Sequence, residues 1–494
     1  MATKLPAPLH TQLPAHLTTS RAAIRACTAI LVLALLWQMW SFSYRIAPPD
    51  PTTLESAAPA DQPCPDLSAI FVALKTGVAE TRSKLPVHFA TTLSSSRCTP
   101  PYGVFSDHEE DVDGHAVADA LDDVDELLKL GEPDFEIYNR LQRGGGRDAL
   151  SAEEREAWGG EADPAAGARG SADTFQAKEE NPTRRLDKWK MVPLVDKALR
   201  AAPEARWFVF VEPDTYVLWR NLADWLERFD PGVPWYLGEP EQMGADVFAH
   251  GGAGVVLSAP AMRRVSQFRK ENQERVDELT RSHGSGDCVL GKILAELDVP
   301  LTWSWPNLQS GRPSDLDWSA ESEEFGRLWC HRAVSYHGLS VEEIEYLYAA
   351  EQDAQAFGTP LLQHRHVFQD FVLPQLSSSK PHWDNHASRA TFRKLTKKGL
   401  KIGKPIKKYG DCRLECDQYG DCIGFSWIGR ECRFSTKFQL GQKNETGGLG
   451  GKELTSGFMM DRVDWMVRWL EDEECTEREE WVLPVPFKKE HDED

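Results

Sequence analysis

Apolar positions along the chain fall into two rhythms. IFVAL (70–74), YGVFSD (102–107) and WFVFV (207–211) are short runs rich in β-branched and aromatic residues, as buried strands are. Between them KLPVHFATTL, VADALDDVDELLKL and RRLDKWKMVPLVDKALRAA carry the longer spacing of amphipathic helices. This alternation, from Ala69 to about Glu351, predicts an α/β fold with a parallel or mixed sheet and helices on its faces. The rhythm breaks over 142–183, where Gly144–Gly146 and WGGEADPAAGARG predict a mobile surface insertion.

One stretch has neither rhythm. ACTAILVLALLWQMWSFSY (26–44) is unbroken and apolar, long enough to cross a bilayer as a helix. Lys4, Arg21 and Arg25 precede it, whereas Asp50, Glu55 and Asp61 follow Arg45, so the positive side stays in the cytosol. The expected order is a cytosolic tail (1–25), a signal anchor (26–45) and a Pro- and Ala-rich stem (46–63). A cleaved signal peptide is the alternative; the run is long for one, and no clean small-x-small site follows. Either way the bulk of the chain is lumenal or secreted.

Composition narrows the class. A 41% hydrophobic content with 17 Trp can fill a large core, and a net charge of −21 excludes a generic nucleic-acid binder. Of the ten cysteines, all but Cys27 lie beyond the apolar segment, where an oxidising compartment would pair them. Cys412, Cys416, Cys422 and Cys432 crowd together without the C-x-x-C knuckles of common zinc sites, so disulfides are expected there. NETG makes Asn444 an N-glycosylation acceptor. The basic run Arg389–Lys408 reads as a solvated linker before this Cys-rich region.

Candidate chemistry gathers at strand ends, where ligands sit in open α/β sheets. Lys75, Thr76 and Gly77 follow the first strand, and Ser106 and Asp107 the second. The third ends in FVFVEPDTYV. Alternation puts Glu212 and Asp214 on one side of the extended chain, as either an ordinary polar turn or a metal-diphosphate site. HGGAGVVLS (250–258) offers a glycine turn that permits close backbone approach or simply makes a hairpin. In HGSGDCVLGKIL (283–294) Asp287 opens a helix, as its cap or as a reactive acid, and VSYHGLS sets His337 at the end of a short strand. Trp303, Trp305, Trp318 and Trp329 suit core packing or stacking on a sugar.

Taken together and in order, WFVFVEPDTYV, AHGGAGVVLS, GDCVLG and WCHRAVSYHGLS resemble glycosyltransferase family 31, the fringe and core 1 β1,3-galactosyltransferase group, particularly its fungal branch. The resemblance covers about residues 64–350 and implies a GT-A domain over about 64–375. It also implies a UDP-sugar donor, Mn²⁺, a glycan or glycoprotein acceptor, inversion at the anomeric carbon, and a Golgi type II membrane protein with its catalytic domain lumenal. By resemblance Glu212–Pro213–Asp214 matches the family's Asp-x-Asp, with Glu in place of the first Asp. Asp214 is then the direct metal ligand, helped by Glu212, and His337 the distal one. Asp287 takes the position of the catalytic base, while Lys75, Thr76, Asp107, Lys190 and Glu212 would serve the donor. The leading product is a β1,3-linked galactose; a fringe-like N-acetylglucosaminyltransferase and a catalytically silent lectin or adhesion protein are the alternatives.

YGDCRLECDQYGDCIGFSWIGRECRFSTKFQLG (409–441) with SGFMMDRV is similar to PAN/apple modules, which bind proteins or carbohydrates. This implies a module over 409–465, a basic linker (376–408) before it and an acidic tail (466–494) after it. Within the module the pairs expected are Cys412–Cys432 and Cys416–Cys422. In the main domain Cys64–Cys98 and Cys288–Cys330 are expected, leaving Cys475 to link two chains in a homodimer.

Overall fold

The computed structural model describes residues 64–483 except 95–97, 160–181, 323–325, 360, 391–392, 397–398, 403–407, 430, 445–447, 450–451, 473 and 477–478. The expected tail, anchor and stem lie outside the described residues, among which no helix is long and apolar enough to cross a membrane. The strands that build the site region are β1 (Ile70–Lys75), β2 (Tyr102–Ser106), β3 (Glu110–Val112), β4 (His115–Asp119), β5 (Trp207–Val211), β6 (Tyr216–Val217), β7 (Tyr236–Gly238), β8 (Pro240–Met243), β9 (Asp246–Ala249), β10 (Val255–Ser258) and β11 (Leu301–Trp303).

An eight-stranded mixed sheet runs in the order β11-β7-β10-β5-β1-β2-β4-β3. β1 is parallel to β2 and β5, with Val72 opposite Tyr102 and Ile70 opposite Trp207. β10 runs antiparallel to β5 and β7, and β7 is parallel to β11. The carboxyl ends of β1, β2, β5, β7 and β11 therefore share one edge, and the reversed β10 brings its leading glycines to it.

Why the central strands are apolar throughout is plain from their two faces. Ile70, Val72, Leu74, Trp207, Val209 and Val211 pack on one side with Leu222 and Trp225. Phe71, Ala73, Phe208 and Phe210 pack on the other with Val192, Leu194 and Val195 of the helix Met191–Ala201. Strands covered on both sides lose the polar alternation of half-exposed ones.

Two expectations need correction. VADALDDVDELLKL is not one helix: His115–Asp119 forms β4, Asp119 Oδ1 turns the chain by accepting from Leu121 N at 2.7 Å, and a short helix (Glu126–Gly131) starts only after Asp125 caps it. Short acids compete for the backbone and break a helix that periodicity alone would allow. The insertion is also shorter than expected, because Glu136–Gly144 and Ala152–Gly159 are helical and Leu150 is buried. Residues 160–181 lie outside those described.

The C-terminal region is a helix (Tyr409–Asp417) on an antiparallel sheet of Gly424–Ile428, Glu431–Ser435 and Lys452–Phe458, with disulfides Cys412–Cys432 and Cys416–Cys422. It shares one apolar cluster with the main body, joining Trp318, Trp329 and Phe368 to Phe438, Leu440 and Val463. The stretch expected as a linker contributes structure: Lys380–Pro381 pairs with the last strand and Arg389–Ala390 with Glu431–Ser435. Nor do the described residues after 465 form a loose acidic tail. Met460–Asp472 is a helix, Trp481 and Val482 are buried, and Val482 N donates to Asn307 Oδ1 at 2.7 Å. Asn444 is partly exposed beside this sheet.

Cys64 pairs with Cys98, but Cys330 pairs with Cys475, so Cys288 keeps a free buried thiol and Cys475 has none left for a second chain. The cause is tertiary: the returning C-terminus lies against the segment Arg327–Arg332, where Arg327 also pairs with Glu479 at 3.1 Å and Arg332 with Glu480 at 3.1 Å. Cys475→Ser opens a link spanning 145 residues and is expected to cost about 2–5 kcal/mol, read as a lowered urea midpoint. An unchanged midpoint would mean that Trp481 packing alone holds the C-terminus.

Candidate active site

The shared sheet edge collects the acids and bases. Glu212, Asp214 and His337 each offer a ligand atom, and these atoms all lie within 4.8 Å of one another. His337 reaches them from the end of a short strand, Ser335–Tyr336, which pairs antiparallel with β6 just after Asp214. His337 Nδ1 stands 3.2 Å from Asp214 Oδ1 and 3.3 Å from Thr215 Oγ1, whose own proton goes to the Gly252 carbonyl at 2.8 Å. Asp214 Oδ1 is nevertheless buried without an aligned hydrogen bond. A buried carboxylate oxygen is normally satisfied; this one, and the His337 imidazole once it has given up its proton, could offer converging lone pairs to a hard-to-borderline divalent cation.

The turn carrying the acids is pinned from below. His88, on the helix Thr81–Ala90, sets Nε2 2.8 Å from the Pro213 carbonyl and Nδ1 2.8 Å from Thr92 Oγ1. A carbonyl only accepts, so Nε2 carries the proton, and burial lowers the His88 pKa to keep it neutral. Burial opposes ionisation of Asp214, but His337 and Lys84 outweigh it and hold the carboxyl far below its usual range. His337 is pushed up in return: burial works against its charge, and Asp214 and Glu212 overcome it.

Lys75, at the end of β1, pairs with Asp187 and lies 3.0 Å from Glu212 Oε1. Burial disfavours its ammonium, yet Asp187, Glu212 and Asp287 together keep it charged. Lys190, Asp107 and Thr76 sit differently from a donor-contacting set. Lys190 Nζ donates to the Thr76 carbonyl at 2.7 Å and lies 3.2 Å from Asp107 and 3.3 Å from Asp187, at 1% exposure. Asp107 Oδ1 accepts from Val78 N at 2.8 Å. With no free face toward solvent, Lys190 and Asp107 brace the loop after β1, and Thr76 Oγ1 turns to Glu80 at 3.2 Å.

Asp287 is in the first turn of the helix Gly286–Glu296, but Ser285 is its cap, accepting from Asp287 N at 3.2 Å. The Asp287 carboxyl is thus not spent on the backbone. Burial raises its pKa to about 6, with Lys75 pulling the other way. The glycine turn explains how it fits: a Cβ on Gly251 would overlap the Asp287 carboxyl, and one on Gly252 would overlap the His337 ring. Only glycines let both side chains close over β10's approach. Of the tryptophans, Trp318 and Trp329 are fully buried and Trp305 half-buried, whereas Trp303 stands 48% exposed at the end of β11 on this edge.

Sequence reading missed several neighbours. Lys84, one helical turn after Glu80, lies 2.9 Å from it and 3.6 Å from Asp214. Asp187 links the two lysines. Glu239, just past β7, takes Ser310 Oγ at 3.0 Å, and burial lifts its pKa to about 7. Glu239 was findable by the same strand-end rule that singled out Glu212. Lys84 was not, because an i,i+4 pair reads as a solvated helix face.

Fold and site define a class: a mixed α/β protein with a central sheet, consistent with a GT-A-like fold, whose carboxyl edge gathers carboxylates, an imidazole and buried lysines. Residues 171–365 match the model of a family described as Fringe-like. That segment contains Lys190, Glu212, Asp214, Asp287 and His337, but not Lys75 or Asp107. The chain is similar to a beta-1,3-glucosyltransferase of Homo sapiens, 31% identical over 122 residues, or 24% of this chain and 22% of that protein. It is 33% identical over 115 residues to a beta-1,3-glucosyltransferase of Mus musculus, 22% of each. The chain therefore spans under a quarter of the length of these relatives.

Proposed function

We propose that this protein is an inverting, divalent-metal-dependent glycosyltransferase that moves a hexose from a UDP-sugar to a hydroxyl of a glycan or glycoprotein, forming a β1,3 bond. The observation that carries the reading is the convergence of Glu212, Asp214 and His337 around a buried carboxylate oxygen without an aligned partner. Asp214 and His337 would hold Mn²⁺ directly, with Glu212 beside them. When bound, the ion offsets the negative charge that grows on departing UDP. Lys75 keeps Glu212 ionised and oriented, and the brace of Lys190, Asp107 and Asp187 fixes the loop after β1 against the nucleotide.

Inversion needs one displacement from the face opposite UDP, with a base taking the acceptor proton. Asp287 suits that role because it is partly buried, is not spent capping its own helix, and has its pKa raised to about 6. Trp303 offers an exposed aromatic face for the acceptor sugar. The names of the relatives favour glucose as the hexose over galactose, the donor that the resemblance led with. The apolar segment before residue 46, the asymmetric charge around it and the disulfides support a Golgi type II protein with this domain lumenal. The disulfide-stapled C-terminal region is read as PAN/apple-like, docking a protein or carbohydrate partner.

The test is UDP release by the detergent-solubilised full chain with UDP-glucose, UDP-galactose and UDP-N-acetylglucosamine, each with Mn²⁺ or with chelator. Turnover on one donor that chelation abolishes is expected; turnover indifferent to chelator would remove the metal, and none on any donor would favour a silent lectin.

A further inference from the structure

A second ligand cluster lies outside this site and shares no residue with it. Asp246, His283 and Cys288 present one oxygen, one nitrogen and one sulfur within 4.8 Å of one another. Asp246 begins β9; His283 and Cys288 flank the start of the helix Gly286–Glu296. We propose that Asp246, His283 and Cys288 form a zinc(II) site that ties the β8–β9 hairpin to the start of this helix.

Three observations support it. Among the described cysteines eight are in disulfides, and Cys288 alone keeps its thiol, fully buried against the hairpin. His283 Nδ1 lies 2.8 Å from the Leu279 carbonyl; the carbonyl accepts, so the proton sits on Nδ1 and the Nε2 lone pair faces outward to Asp246 Oδ2 at 3.8 Å. Metal-binding histidines are commonly oriented by such a bond from the other ring nitrogen. The remaining Asp246 oxygen, Oδ1, is held by Lys292 at 2.7 Å, one turn after Cys288. His283 is thus already aimed, and the Asp246 carboxylate is fixed from its far side.

The donor set decides the metal. A thiolate with an imidazole and a carboxylate suits Zn²⁺, whereas Mn²⁺ prefers oxygen-rich sites. Tetrahedral zinc spaces its ligands by about 3.3–3.6 Å, so small side-chain rotations would close the cluster. His283 and Asp246 are partly exposed, which leaves an entry route and a fourth position for water. On binding, the Cys288 thiol gives its proton to solvent as the S–Zn bond forms, and His283 and Asp246 donate lone pairs without further proton loss. Asp287 faces Gly251 while its neighbour Cys288 turns to the hairpin, so zinc would anchor the turn that presents Asp287.

The experiment is titration of metal-free, tag-free full chain with Co²⁺, whose thiolate charge-transfer absorption in the near ultraviolet reports sulfur ligation. One equivalent should develop the band and Zn²⁺ should bleach it. Cys288→Ser should abolish it, Asp246→Asn should weaken Co²⁺ binding at least about tenfold, and Asp214→Ala should leave it intact. Absence of the band in the unaltered protein overturns the proposal, as does its survival in Cys288→Ser or unchanged affinity in folded Asp246→Asn. Should Cys288→Ser fail to fold, the partly exposed Asp246→Asn still decides. Sensitivity to Asp214→Ala would assign the ion to the other cluster and overturn it too.

Discussion

Asp214→Ala is expected to lower UDP-sugar turnover by about 10³-fold or more while leaving the fold intact. The side chain contributes no apolar packing, but His337 and Lys84 favour its ionised form in the fold, so its loss leaves those cations unmatched and should lower stability without unfolding the domain. What it removes is the carboxylate that converges with His337. Losing one preorganised electrostatic contact to charge developing in the transition state costs about 10²–10³-fold, and loss of the cation's main oxygen ligand adds to that. Mn²⁺ affinity, followed by the ion's effect on water proton relaxation, should fall in parallel. Because Asp214 and Glu212 hold the His337 pKa up, the imidazole must shed a proton to ligate; Mn²⁺ binding should therefore weaken as pH falls. Full turnover by Asp214→Ala would place the chemistry elsewhere.

Asp287→Asn should cost about 10²–10⁴-fold in kcat, the usual share of a general base. The substitution is nearly isosteric, so the glycine approach at Gly251 and the Ser285 cap survive. The sign of the pH effect follows from burial. With its pKa raised to about 6, Asp287 is ionised above that pH and protonated below it, so kcat/KM should fall as pH drops through about 6. Asp287→Asn should flatten that acid limb as well as lower the plateau. A limb that persists would point to another carboxyl of this edge raised by burial, Glu239 first among them.

These effects also separate positioning from chemistry. His88→Ala would free the Pro213 carbonyl and loosen the acid turn without touching a proposed ligand, whereas Glu212 and His337 would act on the ion itself. Lys190 and Asp107 show why strand-end polarity is an incomplete guide. Both stand where a ligand would be met, yet they are matched to each other, Lys190 also to the Thr76 carbonyl and Asp187 and Asp107 to Val78 N, and matched charges in a dry site brace it.

Local pattern sufficed for β1, β2 and β5, because a strand covered on both faces must be apolar at every position, and it sufficed for the polar residues at their ends. Glu212 and Asp214 do converge, but through the turn after β5, in which Thr215 N donates to the Glu212 carbonyl at 3.1 Å, and not through the pleat that alternation assumed. Local pattern could not show that Asp119 and Asp125 would break a helix into strand, turn and cap, nor that Cys330 would meet Cys475 across 145 residues. Such pairings depend on where the chain returns, and returning segments leave no periodic trace.

The amino-acid order by itself determined an α/β sheet with its chemistry at the strand ends and a Cys-dense C-terminal region. Only the tertiary structure decided that β10 runs backward and delivers Gly251 and Gly252 to Asp287 and His337, that Lys84 reaches Asp214, and that Cys288 stays reduced beside His283 and Asp246. The division follows the range of the forces: burial and backbone geometry act between neighbours in sequence, while ion pairs, disulfides and ligand clusters form between neighbours in space.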